Sequence, residues 1–466
     1  MERRLSSMFV AIGNGAGATH IEHCLKGNEI ARMRRDDLNR EILRLAAPNI
    51  LSNLTVPLIG SVDVVLMGGL SAAHIGALGV GTMIFNILYW NFGFLRMGTT
   101  GITAQAVGRQ DDEAAGLTLV RALISAGVIS LVILLLQVPI GRAAMHLMNV
   151  DEGQSSLVST YFSIRLWAIP ATLSMYVLLG WFLGLQNAIY PLLLTVLVNV
   201  VNMALSAWLV LGAGLGVAGV AWGTVGAQYS GLAIGLLLVA FRYRNKVSAL
   251  RWQSIRELSA FVHFLRINGD IFVRTVCLTL AYGFFYSRSA AIGQLTLAAN
   301  TILYQFMIWM AYGIDGFAFA AESLVGKYTG AGNQNRLKAV IRRSFLWGGG
   351  FAVLLAVCYG VAGPAIVDLF TSDAEVASVA VPFLWWVVAL PVLSFASFMW
   401  DGVFVGLTAS RSMRNSMAIA LALFLAVWFM NPTPDNSHLW LSFAVFMTSR
   451  GLLQGLLYLR KGTSLR

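Results

Sequence analysis

GALGVGTMIFNILYWNFGFLRMGTTGITAQAVG, residues 76–108, carries a single charged side chain, Arg96. A helix that crosses a bilayer needs about 20 predominantly apolar residues, and this run is long enough to be one. It returns in altered form as QLTLAANTILYQFMIWMAYGIDGFAFAAESLVG at 294–326, with Gly98 matched by Gly316 and Gly108 by Gly326. A second pair agrees: RLWAIPATLSMYVLLGWFLGLQNA at 165–188 parallels VVALPVLSFASFMWDGVFVGLTAS at 387–410, Pro170 facing Pro391 and Gly184 facing Gly406. Repetition at a fixed distance, here about 220 residues, marks a duplicated unit. An even number of spans, six, separates each half from the next, so the halves share one orientation and are related by an axis along the membrane normal.

The rest of the chain has the same character. Of its 466 residues 58% are hydrophobic and 11% charged, and the mean hydropathy is +0.73, which excludes soluble globular and disordered classes. Apolar runs between polar or Gly/Pro punctuation predict twelve spanning segments, at 43–68, 76–104, 117–138, 157–184, 189–212, 216–241, 259–287, 296–325, 343–366, 379–407, 414–431 and 438–459. The expected fold is all-α and integral to the membrane, with twelve transmembrane helices in two pseudo-symmetric six-helix lobes. Residues 1–40 form a cytosolic basic tail, 41–241 the N-lobe, 242–258 a cytoplasmic linker, 259–460 the C-lobe and 461–466 a C-terminal tail. The net charge of +11 follows from topology. Twenty-six of the 32 Lys/Arg fall in or beside the tails and the loops on their side, against Arg142 and Arg288 opposite. That asymmetry puts both termini in the cytoplasm, in a multi-pass protein of the plasma (inner) membrane, and accounts for the basic pI without nucleic acid.

Ionisable groups inside spans are costly, and each is a functional candidate. Asp63 in PLIGSVDVVLMGG sits in segment 1, six residues after Pro57; a mid-helix proline frees a backbone carbonyl and permits helix bending beside a titrating acid. In segment 5, NVVNMALS sets Asn199, Asn202 and Ser206 on one helical face, where their oxygens can complete a small cation or proton site with Asp63. Offset by the repeat, Asp63 lands near Ala281, so the second lobe lacks its copy. Asp270 and Arg274 are spaced i, i+4 and predict a structural ion pair. Asp315, Glu322 and Asp401 have no basic neighbour in sequence and, with Arg96 and Gln305, are candidates for a cargo cavity; Trp309, Trp385, Trp386 and Trp400 offer faces for organic cations. Arg165 is expected to snorkel toward the outer surface.

Other chemistry is poorly represented. The chain has no GxxxxGK[ST] phosphate loop. Cys24, Cys277 and Cys358 are far apart, and the six histidines give no zinc spacing beyond His20 and His23, so no metal or other cofactor is expected. The acidic pairs Asp36–Asp37 and Asp111–Asp112 lie beside basic loop segments and suit loop solvation better than an intramembrane enzyme site.

Several motifs together resemble one family, the multidrug and toxic compound extrusion (MATE) transporters, in particular their DinF-like branch. They are the VD step at Asp63 after Pro57, TTGITAQAVGRQDD at 99–112, GLGVAGVAWGTVGAQ at 214–228, RINGDIFVRT at 266–275 and DGFAFAAESLVGKYTGAGN at 315–333. The resemblance covers about residues 40–460. It implies export of cytotoxic, often cationic compounds in exchange for H⁺ or Na⁺ by a non-enzymatic carrier, acting alone in the lipid bilayer. It also implies that the acid of segment 1, here Asp63, couples to the ion with an Asn and an Asp of segment 5. The first is matched by Asn202; the second position is Ser206. Losing that carboxylate favours H⁺ over Na⁺, which needs several oxygen ligands. Na⁺-coupled efflux, and export or flipping of an amphiphilic or lipid-linked metabolite, are the alternative readings.

Overall fold

The structure, a computed structural model, describes residues 16–69, 71–148, 150–248 and 257–462. The portions of the expected tails and linker at 1–15, 249–256 and 463–466 lie outside the described residues. All regular structure among the described residues is helical, with no strand. The twelve expected segments map one to one onto α1 (Ala16–Gly68), α2 (Ala72–Asn91 and Phe94–Gly108), α3 (Asp112–Leu135), α4 (Glu152–Arg165 and Ile169–Gly184), α5 (Ile189–Ala207), α6 (Gly216–Arg242), α7 (Leu258–Ile292), α8 (Gln294–Gly330), α9 (Gln334–Phe370), α10 (Ala374–Ala380 and Leu384–Gly406), α11 (Ser410–Met430) and α12 (Asn436–Lys461).

Three differences from the expectation stand out. α1 runs back to Ala16, into the stretch expected to be a tail, and continues unbroken through Pro48 and Pro57. A further helix, Gln137–Leu147, follows α3 after a break at Leu136. The last turn of α5 widens into a π-turn over Trp208–Gly212 before the glycine-rich loop. Nine helices among the described residues are long and apolar enough to cross a membrane by length and composition. α1, α7 and α12 fall outside that set; α7 and α12 carry buried charges within the span, among them Asp270, Arg274 and Arg450.

The lobes, α1–α6 and α7–α12, meet along α1, α2, α7, α8 and α10, and the duplication is visible in how they cross. A Cβ added at Gly108 on α2 would run into the carbonyl of Lys327 on α8 and lie 2.8 Å from the nitrogen of Ala331. At the matching Gly326 on α8 it would lie 2.6 Å from the Cβ of Ala104 on α2. Likewise Gly98 abuts Asn268 of α7, while its counterpart Gly316 abuts Ala46 and Ile50 of α1. Small residues permit this backbone approach, which drives helix association in lipid.

Hydrogen bonds fasten the same side. Gln105 Nε2 donates to the Gly406 carbonyl at 2.8 Å, and Gln186 Nε2 donates to the carbonyl and Oγ of Ser323 at 3.0 and 2.7 Å. Toward the middle of the membrane, contacts continue through Asn53 Nδ2 to the Tyr312 carbonyl at 3.0 Å and through Trp90 beside Tyr282, with ring centroids 5.4 Å apart. The lobes are therefore closed on the side that holds the ends of α2, α8 and α12. A Gly326→Val substitution is expected to wedge this contact apart, raising the labelling of a cysteine placed at Thr408, which Gln105 reaches at 3.2 Å; unchanged labelling would show that closure does not need the glycine.

Candidate functional site

In the N-lobe, α1 and α5 run in the same direction, and their register is set where Asn199 Nδ2 donates to the Thr55 carbonyl at 3.2 Å. Asp63 lies about two turns beyond Thr55 and Ser206 about two turns beyond Asn199, so the two are level, with Asn202 about a turn below. Asp63 is 6% exposed and Asn202, Ser206 and Asn199 are equally inaccessible. No hydrogen bond joins the acid to the others. Instead Asp63 Oδ1, Asn202 Oδ1 and Ser206 Oγ are each buried without a hydrogen-bond partner. Asn202 Nδ2 spends its proton on Thr224 Oγ1 of α6, 3.1 Å away. Buried oxygens without partners are costly, so each calls for a proton, ion or water to satisfy it. α1 remains helical through Pro57, whose side chain lies outside the described residues; Asn199 grips the backbone two residues before it.

Arg165 does not snorkel. Its guanidinium turns into the lobe, donates to the Tyr161 hydroxyl, stands 3.5 Å from Thr82 Oγ1 and lies 5.1 Å from the Phe85 ring centroid. Its charge acts on Asp63, the acid of this lobe. Neither the nearness of Arg165 to Asp63 nor the bond from Asn202 to Thr224 was legible in the sequence, because the groups lie on different helices and the packing that unites them is tertiary.

The C-lobe reassigns two candidates. Asp270 and Arg274, expected to pair, point to different partners: Asp270 accepts from Arg414 Nη1 at 2.5 Å and Ser410 Oγ at 2.8 Å, whereas Arg274 pairs with Asp401. Helical spacing allowed the first pairing, but α11 and α10 bring better-placed partners from across the lobe. Asp401, without a basic neighbour in sequence, is also held by Arg450 Nη2 and Gln454 Nε2, each at 2.8 Å. It is fully engaged in a structural cluster of α7, α10 and α12 and is not free to receive a cation.

Between the lobes, Arg96 Nη1 of α2 stands 3.7 Å from Glu322 Oε2 of α8, and the Arg96 guanidinium lies 3.8 Å from the Phe319 ring centroid. Asp315 is half-buried and lies about two turns from Glu322 on the same face of α8, with Tyr304 about three turns farther along that face. Gln305 is half-buried about a quarter-turn off it. Of the tryptophans, Trp309 and Trp385 are 54% and 55% exposed, Trp386 is buried and stacks on Trp385 with ring centroids 3.8 Å apart, and Trp400 packs against Phe345 and Tyr458 inside the C-lobe. Of the expected cavity residues, Arg96 and Glu322 face each other across the lobe boundary, and Asp315 lies within reach of the charges of both Arg96 and the Asp401–Arg274–Arg450 cluster. Among the described residues no cluster of three or more His, Cys, Asp or Glu side chains could hold a metal ion.

The chain matches the MatE family twice, over residues 48–208 and 271–432, one match in each lobe. It is 38% identical over 420 residues to DNA damage-inducible protein F of Escherichia coli (strain K12), covering 89% of this chain and 90% of that protein. It is 28% identical over 369 residues to multidrug and toxin extrusion protein 1 of Homo sapiens, covering 76% of this chain and 62% of that one. In fold it is similar to a crystal structure of MATE in the bent conformation, with a TM-score of 0.84 over 92% of this chain and 97% of the other at 18% identity. Twin six-helix lobes, the 38% identity over most of the chain and a family match to each lobe thus lead to one conclusion: this chain belongs to the MatE family of membrane transporters, which are carriers rather than enzymes.

Proposed function

We propose that this transporter exports organic, often cationic, toxic compounds in exchange for protons by alternating access, with Asp63 as the proton acceptor of the N-lobe. The observations that support the reading are the buried, unpartnered oxygens of Asp63, Asn202 and Ser206 on two packed helices, and the Arg165 guanidinium, whose charge acts on Asp63. A proton needs one acceptor. Na⁺ needs several oxygens and no competing cation nearby, so Arg165 and the serine at 206 weigh against it. The cargo class rests on the names of the relatives. Asp315, half-buried between the lobes, is the acid available to a cationic cargo, since Asp401 and Asp270 are occupied by arginines.

With both termini in the cytoplasm, as the distribution of Lys and Arg favours, the bonded side of the lobes faces the cytoplasm, and the proton enters from the other side. Protonation of Asp63 removes its charge and lets α1 repack against α5 around Pro57, shifting the population toward the opposite opening. One chain supplies both lobes, so a monomer suffices, and no cofactor beyond the coupling ion enters the cycle. The test is efflux of a fluorescent organic cation from vesicles in which ΔpH and ΔNa⁺ are imposed separately. Efflux under ΔpH alone is expected. Efflux under ΔNa⁺ alone would overturn proton coupling, and a lipid-linked or anionic amphiphile moved under ΔpH while the cation is ignored would overturn the cargo class. The position of Arg96, turned onto Glu322 and Phe319, removes the free basic group that an anionic head would need.

A further inference from the structure

Glu322 is the least accessible acid between the lobes, 1% exposed, and its counter-ion belongs to the other lobe. At 3.7 Å the Arg96–Glu322 contact is an ion pair too long for a hydrogen bond. Glu322 Oε1 and Arg96 Nη1 are both buried without a hydrogen-bond partner. The charged groups that act on Glu322 are Arg96 from α2 and Asp315 from its own helix, with Thr100 of α2 nearby. α10 meets the Glu322 carbonyl with Gly406, and α4 meets the adjoining Ser323 with the Leu183 carbonyl and Gln186. The pair thus sits where the bonded, glycine-lined closure of the lobes gives way to the middle of the membrane.

We propose that Glu322 is a second proton-binding group of the transport cycle, acting with Arg96 as a latch across the lobe boundary. A buried ion pair whose partners stand too far apart to hydrogen-bond each other is held mainly by the attraction of its two charges, and loss of one charge leaves the other stranded in a dry interface. A proton on Glu322 Oε1 therefore weakens the closed arrangement and favours parting of the lobes on that side. Asp315, half-buried and about two turns away on the same face, gives a proton that enters from the other side a stepping stone. When the lobes part, water reaches the carboxyl, the proton leaves to the newly opened side, and no other bond changes. The direction is the one that an antiporter requires, since proton entry from one side drives opening to the other. The latch rests on the proton-coupled reading above, but its signature is a conformational equilibrium that can be read without cargo.

The experiment is double electron–electron resonance on the full-length protein in lipid nanodiscs, with native cysteines replaced by serine and spin labels at Arg109 and Lys338, on opposite lobes. The wild type is expected to move from short to long distances as pH falls. Glu322→Gln is expected to raise the long-to-short ratio at neutral pH by about tenfold or more and to flatten its pH response. Arg96→Gln should also favour long distances. The charge-exchanged pair Arg96→Glu/Glu322→Arg, a control for misfolding, should return the short state. A Glu322→Gln protein with the wild-type distances and pH response would overturn the latch while leaving Asp63-dependent efflux intact. Should cation efflux ignore ΔpH while Glu322→Gln still opens the closed side, the functional reading would fall and the latch would stand.

Discussion

Asp63→Asn is expected to reduce gradient-driven efflux to the background of protein-free vesicles while the protein remains folded in the membrane. Asparagine has the shape of aspartate and keeps one carbonyl oxygen, so packing between α1 and α5 is preserved. What disappears is the charge change. Asp63 is 6% exposed with an unpartnered Oδ1, so its neutral replacement removes a buried charge and should leave stability unchanged or raised. Without a group that binds a proton differently in the two openings, the gradient has no means of moving the population. Equilibrium binding of a fluorescent cation should survive, since the lobes and Asp315 are untouched. Efflux retained in Asp63→Asn would move the coupling site elsewhere, with Glu322 the first alternative.

The largest effect on stability is expected at Asp401. Asp401→Ala strands Arg274 and Arg450 together in the C-lobe, two guanidiniums whose side chains are only 10% and 2% exposed. Breaking a buried ion pair by removing one partner costs about 3–5 kcal/mol, and here two cations lose the same acid. Thermal or denaturant unfolding in detergent should show the loss. Changing Arg274 and Arg450 to Met in the same chain should recover much of it, because an apolar replacement of a whole buried cluster is often close to neutral. A stable Asp401→Ala protein would show that water enters the C-lobe at that level.

The contrast between these two acids explains how much could be read without the structure. Twelve spans, two lobes and the duplication followed from apolar run length and spacing, properties that each helix carries in its own residues. Asp63, Asn202 and Ser206 stood out for a related reason, since a polar residue in a span is conspicuous, and the structure shows all three buried. The charge pairs were not legible in the same way. Asp270 had Arg274 in reach along its own helix, yet α11 supplied Arg414 and Ser410, and Arg274 crossed to Asp401. Spacing within a helix ranks local partners, whereas the lobe's packing decides among partners from five other helices. Arg165 was misjudged in the same way, since its orientation depends on Tyr161 and Thr82 and on the space beside Phe85.

The crossing of α2 and α8 has a bearing on descent. Gly108 meets α8 near Lys327, and Gly326, its counterpart, meets α2 near Ala104, so each copy of the repeated unit offers the other the same patch that it receives. That reciprocity is the property of an isologous contact, the kind by which two identical subunits bind about a two-fold axis. A six-helix ancestor bearing one such glycine-ended helix could have assembled with itself through this surface before the gene was doubled and fused. Fusion then freed the copies to diverge, leaving the carboxylate of α1 in one half and the arginine-bound acid of α10 in the other, while the crossing that first joined them was kept.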